Sequence, residues 1–119
     1  MKQSLPSLSV IIATYNSAAT LDECLESVVS QKYPKRLVEI ILADGGSTDT
    51  TRAIGKKYGA RVISVNSKKQ GAEFNRAAGA RSAHHDILLF IDHDNVLPHT
   101  SWLTRMVTPF IEDAKAVGV

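Results

Sequence analysis

Ile87-Leu-Leu-Phe-Ile-Asp-His-Asp94 is the stretch whose reading decides the fold. An unbroken apolar run of this length, bounded by polar residues, reads as a buried strand of a parallel sheet covered on both faces. Asp92 and Asp94 follow at once, one residue apart, so a rigid element holds both carboxylates at its end. Hard oxygen donors of this kind suit Mg²⁺ or Mn²⁺, ions that proteins hold with one or two carboxylates plus the phosphates of a substrate. The competing reading is a turn, because Asp94, Asn95 and Pro98 are also residues that punctuate strand ends.

Upstream, apolar strand-like runs alternate with amphipathic stretches, the pattern of an α/β domain built from βαβ units. The first strand is expected at Leu8 to Thr14. A helix follows, opened by a capping box with Thr20 as N-cap and Glu23 three residues on. Its buried face is predicted from the helical spacing of Leu21, Cys24, Leu25, Val28 and Val29. A second strand, Val38 to Ala43, runs into Asp44-Gly-Gly-Ser47 and a helix from about Thr48 to Tyr58, with Ser47 and Thr48 as candidate N-caps and Gly59 at C′. A third strand, Arg61 to Val65, leads through Asn66 to Gln70 into an Ala-rich helix from about Gly71 to His84. Gly79 inside that helix costs about 1 kcal/mol against Ala, so a close approach to the sheet is its expected reason. The strand Asp86 to Ile91 comes fourth. Beyond it, Trp102, Leu103, Met106, Val107 and Phe110 repeat at helical spacing, with Pro109 expected to kink or end that helix.

The 119 residues make one domain, 1–119, and the net charge of +2, scattered along the chain, gives no electrostatic case for nucleic acid. A single cysteine, Cys24, on the apolar helix face reads as a buried thiol in a reducing compartment. No segment has the length of a membrane span or the pattern of a signal peptide, so a cytoplasmic protein is expected.

Right-handed crossovers place the carboxyl ends of parallel strands on one edge. Four polar loops then share it: Thr14-Tyr15-Asn16, Asp44 to Ser47, Asn66 to Gly71, and Asp92 to Asn95. With strand order 3-2-1-4 the topological switch point, where open α/β sheets bind ligands, lies between the first strand and the fourth, beside Tyr15 and Asp92. Asp44 is a candidate ligand contact there, with an Asx-turn acceptor as its alternative role. Arg76 is a candidate phosphate contact, whereas Lys68 and Lys69 read as solvated surface. Gly45-Gly46 lacks the spacing of a dinucleotide fingerprint, and no P-loop lysine follows. His84, His85, His93 and His99 have neither the spacing nor the cysteine partners of a structural zinc site.

Ser9-Val-Ile-Ile-Ala-Thr-Tyr-Asn16, Ile40-Ile-Leu-Ala-Asp-Gly-Gly-Ser-Thr-Asp49, Arg76-Ala-Ala-Gly79 and Leu89-Phe-Ile-Asp-His-Asp94 occur in the order and at the spacing of a known family. The chain resembles the N-terminal half of the family 2 glycosyltransferase domain, which has the GT-A fold. The resemblance implies a Rossmann-like, mostly parallel sheet flanked by helices, truncated here, and an enzyme that transfers sugar, with inversion, from a nucleotide-diphospho-sugar. It implies that Ala13, Tyr15 and Asp44 line the nucleoside pocket, with Asn16 in the same matching segment. It implies further that Asp92 and Asp94 form the DxD motif contacting donor and metal, Mg²⁺ or Mn²⁺. A UDP-sugar is the expected donor and a saccharide or lipid the expected acceptor, at the inner face of the membrane in cell-envelope polysaccharide synthesis. The family's Asp-Asp-Gly-Ser is here Asp44-Gly-Gly-Ser47, and its Arg-Asn is here Arg76-Ala77. No catalytic base is expected within the chain, since the family's lies well beyond the DxD.

Two rivals remain at this point: a haloacid-dehalogenase-like phosphatase, which also carries Asp-x-Asp after a hydrophobic strand, and a non-catalytic nucleotide-binding or assembly module. Ala116 to Val119 reads as the start of a strand, and a homodimer through that edge is the expected way to pair its N–H and C=O groups.

Overall fold

The computed structural model describes residues 5–65 and 71–116, the last five of these as helix backbone only. The elements are β1 Leu8–Thr14, α1 Ala18–Val29, a 3-10 turn Lys35–Leu37, β2 Val38–Asp44, α2 Thr51–Lys57, β3 Arg61–Ser64, α3 Ala72–Ser82, β4 Ile87–Phe90 and α4 Trp102–Ala116. The sheet has the predicted order β3-β2-β1-β4, and every pairing in it is parallel.

The burial gradient follows from that order. β1, flanked on both sides, is buried at every residue, and β2 is buried from Ile40 to Asp44. β4 pairs only with β1, so the expectation of a strand buried on both faces is corrected: its residues are partly buried and Phe90 is exposed. Apolar composition identified the strand but not its place at the border of the described sheet.

α1 buries Leu21, Cys24, Leu25 and Val28, the face its spacing predicted, against Val10, Ile12 and Leu42. Its start is corrected. Ser17, not Thr20, precedes the first turn, and the Thr20 hydroxyl instead bonds the Ser17 carbonyl and His93. α2 begins at Thr51 rather than near Thr48, because Asp49 takes the capping work: its carboxylate accepts the Thr51 N–H and hydroxyl and also the Ala18 N–H of α1. One residue thus ties two helix starts together. Gly59 follows α2 with φ of +82°, as its C′ position implied.

Gly79 lets α3 lie against the sheet, since a Cβ there would stand 2.6 Å from the Ile11 side chain. Pro109 neither ends nor interrupts α4, which runs on to Ala116. The loss of one intrahelical N–H bond is tolerated there. Ala116 is therefore helical, which corrects the strand expected from that residue; Val117 to Val119 lie outside the described residues. Buried Gln31 fixes the start of α4, its amide donating to the His99 carbonyl and accepting the Leu103 N–H. Among the described residues no helix is long and apolar enough to cross a membrane.

Candidate functional site

The carboxyl ends of β1, β2 and β4 carry three different kinds of loop. After β2, Asp44 turns inward. Its carboxylate is fully buried and accepts the hydroxyls of Thr14 at 2.8 Å and Ser47 at 2.6 Å, with the backbone N–H groups of Gly46 at 3.1 Å and Ser47 at 2.8 Å. Burial pushes its carboxyl up, but the hydrogen bonds from Ser47, Thr14 and Gly46 outweigh it and hold the group below the ordinary range. The arrangement is the Asx-turn role that competed with direct ligand contact. Gly46 accommodates the turn with φ of +103°. Ser47 and Thr48, expected as N-caps, serve the loop instead: Ser47 Oγ accepts the Asn16 N–H, and the Asn16 amide oxygen accepts the Thr48 N–H. Asn16, at φ of +48°, thus clasps the β1 loop to the β2 loop rather than facing a cleft.

A cleft of about 370 Å³ opens above these loops, lined by Ala13, Tyr15, Gly45, Gly71, Asn75 and His93 among others. Tyr15 is 58% exposed there, an aromatic face open to a planar ligand. His93 projects from the β4 loop with Nδ1 at 2.9 Å from the Thr20 hydroxyl. Asp92 and Asp94 flank His93 and are exposed. Arg76 on α3 reaches Asp92 with Nη1 at 3.6 Å. Five of the predicted residues, Ala13, Tyr15, Arg76, Asp92 and Asp94, therefore belong to the cleft or to the elements that border it. Asp44 and Asn16 support it from below and beside. Lys68 and Lys69 lie outside the described residues.

The acidic pair also marks its surroundings. The Cys24 thiol donates to the Asp92 carbonyl at 3.6 Å, and burial, then the charges of Asp94 and Asp92, push it up to about 11. It is an unreactive packing group.

Among the described residues no cluster of three or more His, Cys, Asp or Glu could hold a metal ion alone. Two exposed carboxylates fit a hard divalent ion that completes its shell with substrate oxygens and water, and fit poorly a closed protein cage.

Asn75 was not singled out by the sequence. It is 4% exposed, lines the cleft from the first turn of α3, and its Oδ1 has no hydrogen-bond partner. An unpaired buried acceptor costs about 1–3 kcal/mol, so its retention asks for a reason. An asparagine in an amphipathic helix carries no signal of burial in a single sequence. Only its neighbour Arg76 drew attention.

Residues 9–119 match the model of Glycosyl transferase family 2. The chain belongs to that family. The glycosyltransferase AglE of Haloferax volcanii is 37% identical over 112 residues, which cover 91% of this chain and 36% of AglE. The crystal structure of Staphylococcus aureus TarS 1-349 in complex with UDP-GlcNAc superposes with a TM-score of 0.78 at 30% identity, over 92% of this chain and 32% of that one. Glucosyl-3-phosphoglycerate synthase of Mycobacterium tuberculosis, in complex with Mn²⁺, UDP and glucosyl-3-phosphoglycerate, gives 0.68 at 30% identity, over 88% of this chain and 39% of that one. The sheet and its flanking helices are thus those of the GT-A fold, and the chain spans about a third of the length of these relatives. The phosphatase reading is set aside by the family match over nearly the whole sequence.

Proposed function

We propose that this chain is the donor-binding part of a glycosyltransferase that takes its sugar from a nucleoside-diphospho-sugar in the cleft between β1 and β4. The observation that carries the reading is the convergence of an open aromatic face, Tyr15, with a pair of exposed carboxylates, Asp92 and Asp94, at the predicted switch point. Tyr15, Ala13 and Gly45 offer a slot for the base. Asp44 and Asn16 act by holding the loops that form it. Arg76, beside Asp92, is placed to meet phosphate oxygens once ligand draws it from that pairing.

Asp92 and Asp94 would hold Mg²⁺ or Mn²⁺, and such an ion supplies Lewis acidity that stabilises the charge developing on the departing diphosphate. Without it two carboxylates would repel the ligand they face. The UDP-GlcNAc complex of TarS and the UDP and Mn²⁺ complex of the mycobacterial synthase support a uridine nucleotide as the first donor to test. The described lining of the cleft contains no Asp or Glu, so the base that activates the acceptor is expected elsewhere in the working protein. A single buried thiol favours a reducing compartment such as the cytoplasm, and the poly(ribitol-phosphate) in the name of TarS makes a polymer of that kind an acceptor to test.

Calorimetric titration with UDP, with and without Mn²⁺, tests this reading in the wild type and in Asp94→Asn. The expected result is tight binding only in the wild type with Mn²⁺ present, with about tenfold or greater loss in the other arms. Equal affinity in all arms would remove the metal from the site, and no binding at all would remove the nucleotide.

A further inference from the structure

We propose that Asn75 is a specificity-determining residue that reads the base of the donor nucleotide, its side-chain oxygen accepting the ring N–H of uracil or guanine. The inference rests on the donor-site reading above and adds to it the group that selects the nucleotide.

Side chains on a helix lean toward its N-terminus. α3 begins at the carboxyl edge of the sheet, so Asn75, in its first full turn, is tilted into the cleft rather than along the sheet. Its amide lies against the Gly45 backbone, where a Cβ would stand 2.9 Å from Asn75 Nδ2. Gly45 has no positive φ, so backbone conformation does not demand glycine there. The room is needed by the amide. Asn75 Oδ1 is buried and unpaired, the one side-chain acceptor in that state among the described residues. An acceptor in this condition is complemented by an N–H and repelled by another lone pair. Phosphate and sugar ring oxygens offer only lone pairs; sugar hydroxyls and the N–H edge of a base can both complement it, and of these only the base edge discriminates among nucleotides. A base stacked on Tyr15 offers its edge. Uracil and guanine present a ring N–H flanked by a carbonyl, which the two ends of an amide can pair with together. Cytosine and adenine present a ring lone pair at the equivalent position, which would face Oδ1 directly.

The test uses the purified protein with Mn²⁺ and four probes, UDP, GDP, CDP and ADP, titrated calorimetrically against the wild type, Asn75→Ala, Gly45→Ala and the double variant. The wild type is expected to favour UDP or GDP over CDP and ADP by at least about tenfold, and the two favoured probes separate uracil from guanine. Asn75→Ala is expected to erase that preference by weakening only the favoured nucleotide. Gly45→Ala, which crowds the amide, is expected to weaken the favoured nucleotide when Asn75 is present and to add nothing once Asn75 is gone. Asn75→Leu, of similar size but without the acceptor, replaces the alanine variant if that one does not fold. A preference that survives loss of the amide, or a Gly45→Ala effect that persists without Asn75, overturns the proposal while leaving the donor site standing. Absence of binding by all four nucleotides to the wild type overturns both.

Discussion

Asp44 and Asp92 both mark the carboxyl end of an apolar parallel strand on the same edge of the same sheet, and the fold treats them in opposite ways. Asp44 is wholly buried, its oxygens engaged by Thr14, Gly46 and Ser47. Asp92 is 65% exposed at its side chain, and its carboxylate meets only the guanidinium of Arg76, at 3.6 Å, among the described side chains. A carboxylate whose acceptor positions are already filled can shape a loop but has little left for a cation. One with open positions at the border of a cleft has that capacity. Strand-end position alone does not separate the two roles; the supply of local donors does. The Gly46 and Ser47 N–H groups fold back onto the Asp44 carboxylate, whereas in the loop after β4 the Asn95 N–H goes to the backbone carbonyl of Asp92 rather than to its carboxylate.

The difference can be broken at either end. Asp44→Ala strands two hydroxyls and two backbone N–H groups in a buried loop, and we expect it to cost about 2–4 kcal/mol of stability. Asp94→Ala, at an exposed position, should stay within about 0.5 kcal/mol. Urea unfolding of both variants checks this, and comparable losses would erase the distinction between a structural and a functional aspartate.

A smaller effect sharpens the comparison with a third carboxylate, Glu39, near the amino ends of the strands. It accepts the Ser9 hydroxyl, the His84 backbone N–H and the Arg61 guanidinium, and pairs with the His84 ring. Burial raises its carboxyl, but those partners, the His84 N–H first among them, bring it down to about 2 from an ordinary 4.5. A depressed carboxyl stabilises the folded state fully above its unfolded value. Its contribution should therefore be whole above about pH 4.5 and fade as the pH falls toward 2. Unfolding midpoints across that window should drop more steeply in the wild type than in Glu39→Gln. Parallel slopes would show that this cluster contributes nothing to acid stability.

Much of this was legible in the sequence, for reasons that differ between elements. The shared loop edge followed from alternating apolar runs and from the handedness of crossovers, whereas the strand order 3-2-1-4 entered as an assumption, which the sheet bears out. Gly79 pointed to a close helix-to-sheet contact because a mid-helix glycine costs about 1 kcal/mol against Ala, and the contact with Ile11 accounts for it. The start of α1 differs because Thr20 and Glu23 satisfy a local capping pattern, whereas the Ser17 and Ala18 N–H groups reach Thr51 and Asp49 only when β1 and β2 lie side by side. β4 looked fully buried because apolarity does not tell a central strand from a border one. Pro109 was expected to kink or end its helix, and the helix does not end there. In the candidate site, Tyr15, Asp92 and Asp94 drew attention because their chemistry is conspicuous at a strand end. Asn75 did not, since its meaning depends on the close approach of its amide to Gly45, 30 residues away.

Paramagnetic broadening of backbone amide signals by Mn²⁺ in the presence of UDP tests the central claim most directly, that the ligand and its ion meet at the carboxyl edge beside Asp92 and Asp94. The account predicts loss of the signals of Tyr15, Gly45 and His93 to Asn95, with those of Glu39 and His84 at the opposite edge remaining sharp. Broadening centred on Glu39 and His84, or spread evenly over the sheet, would contradict it.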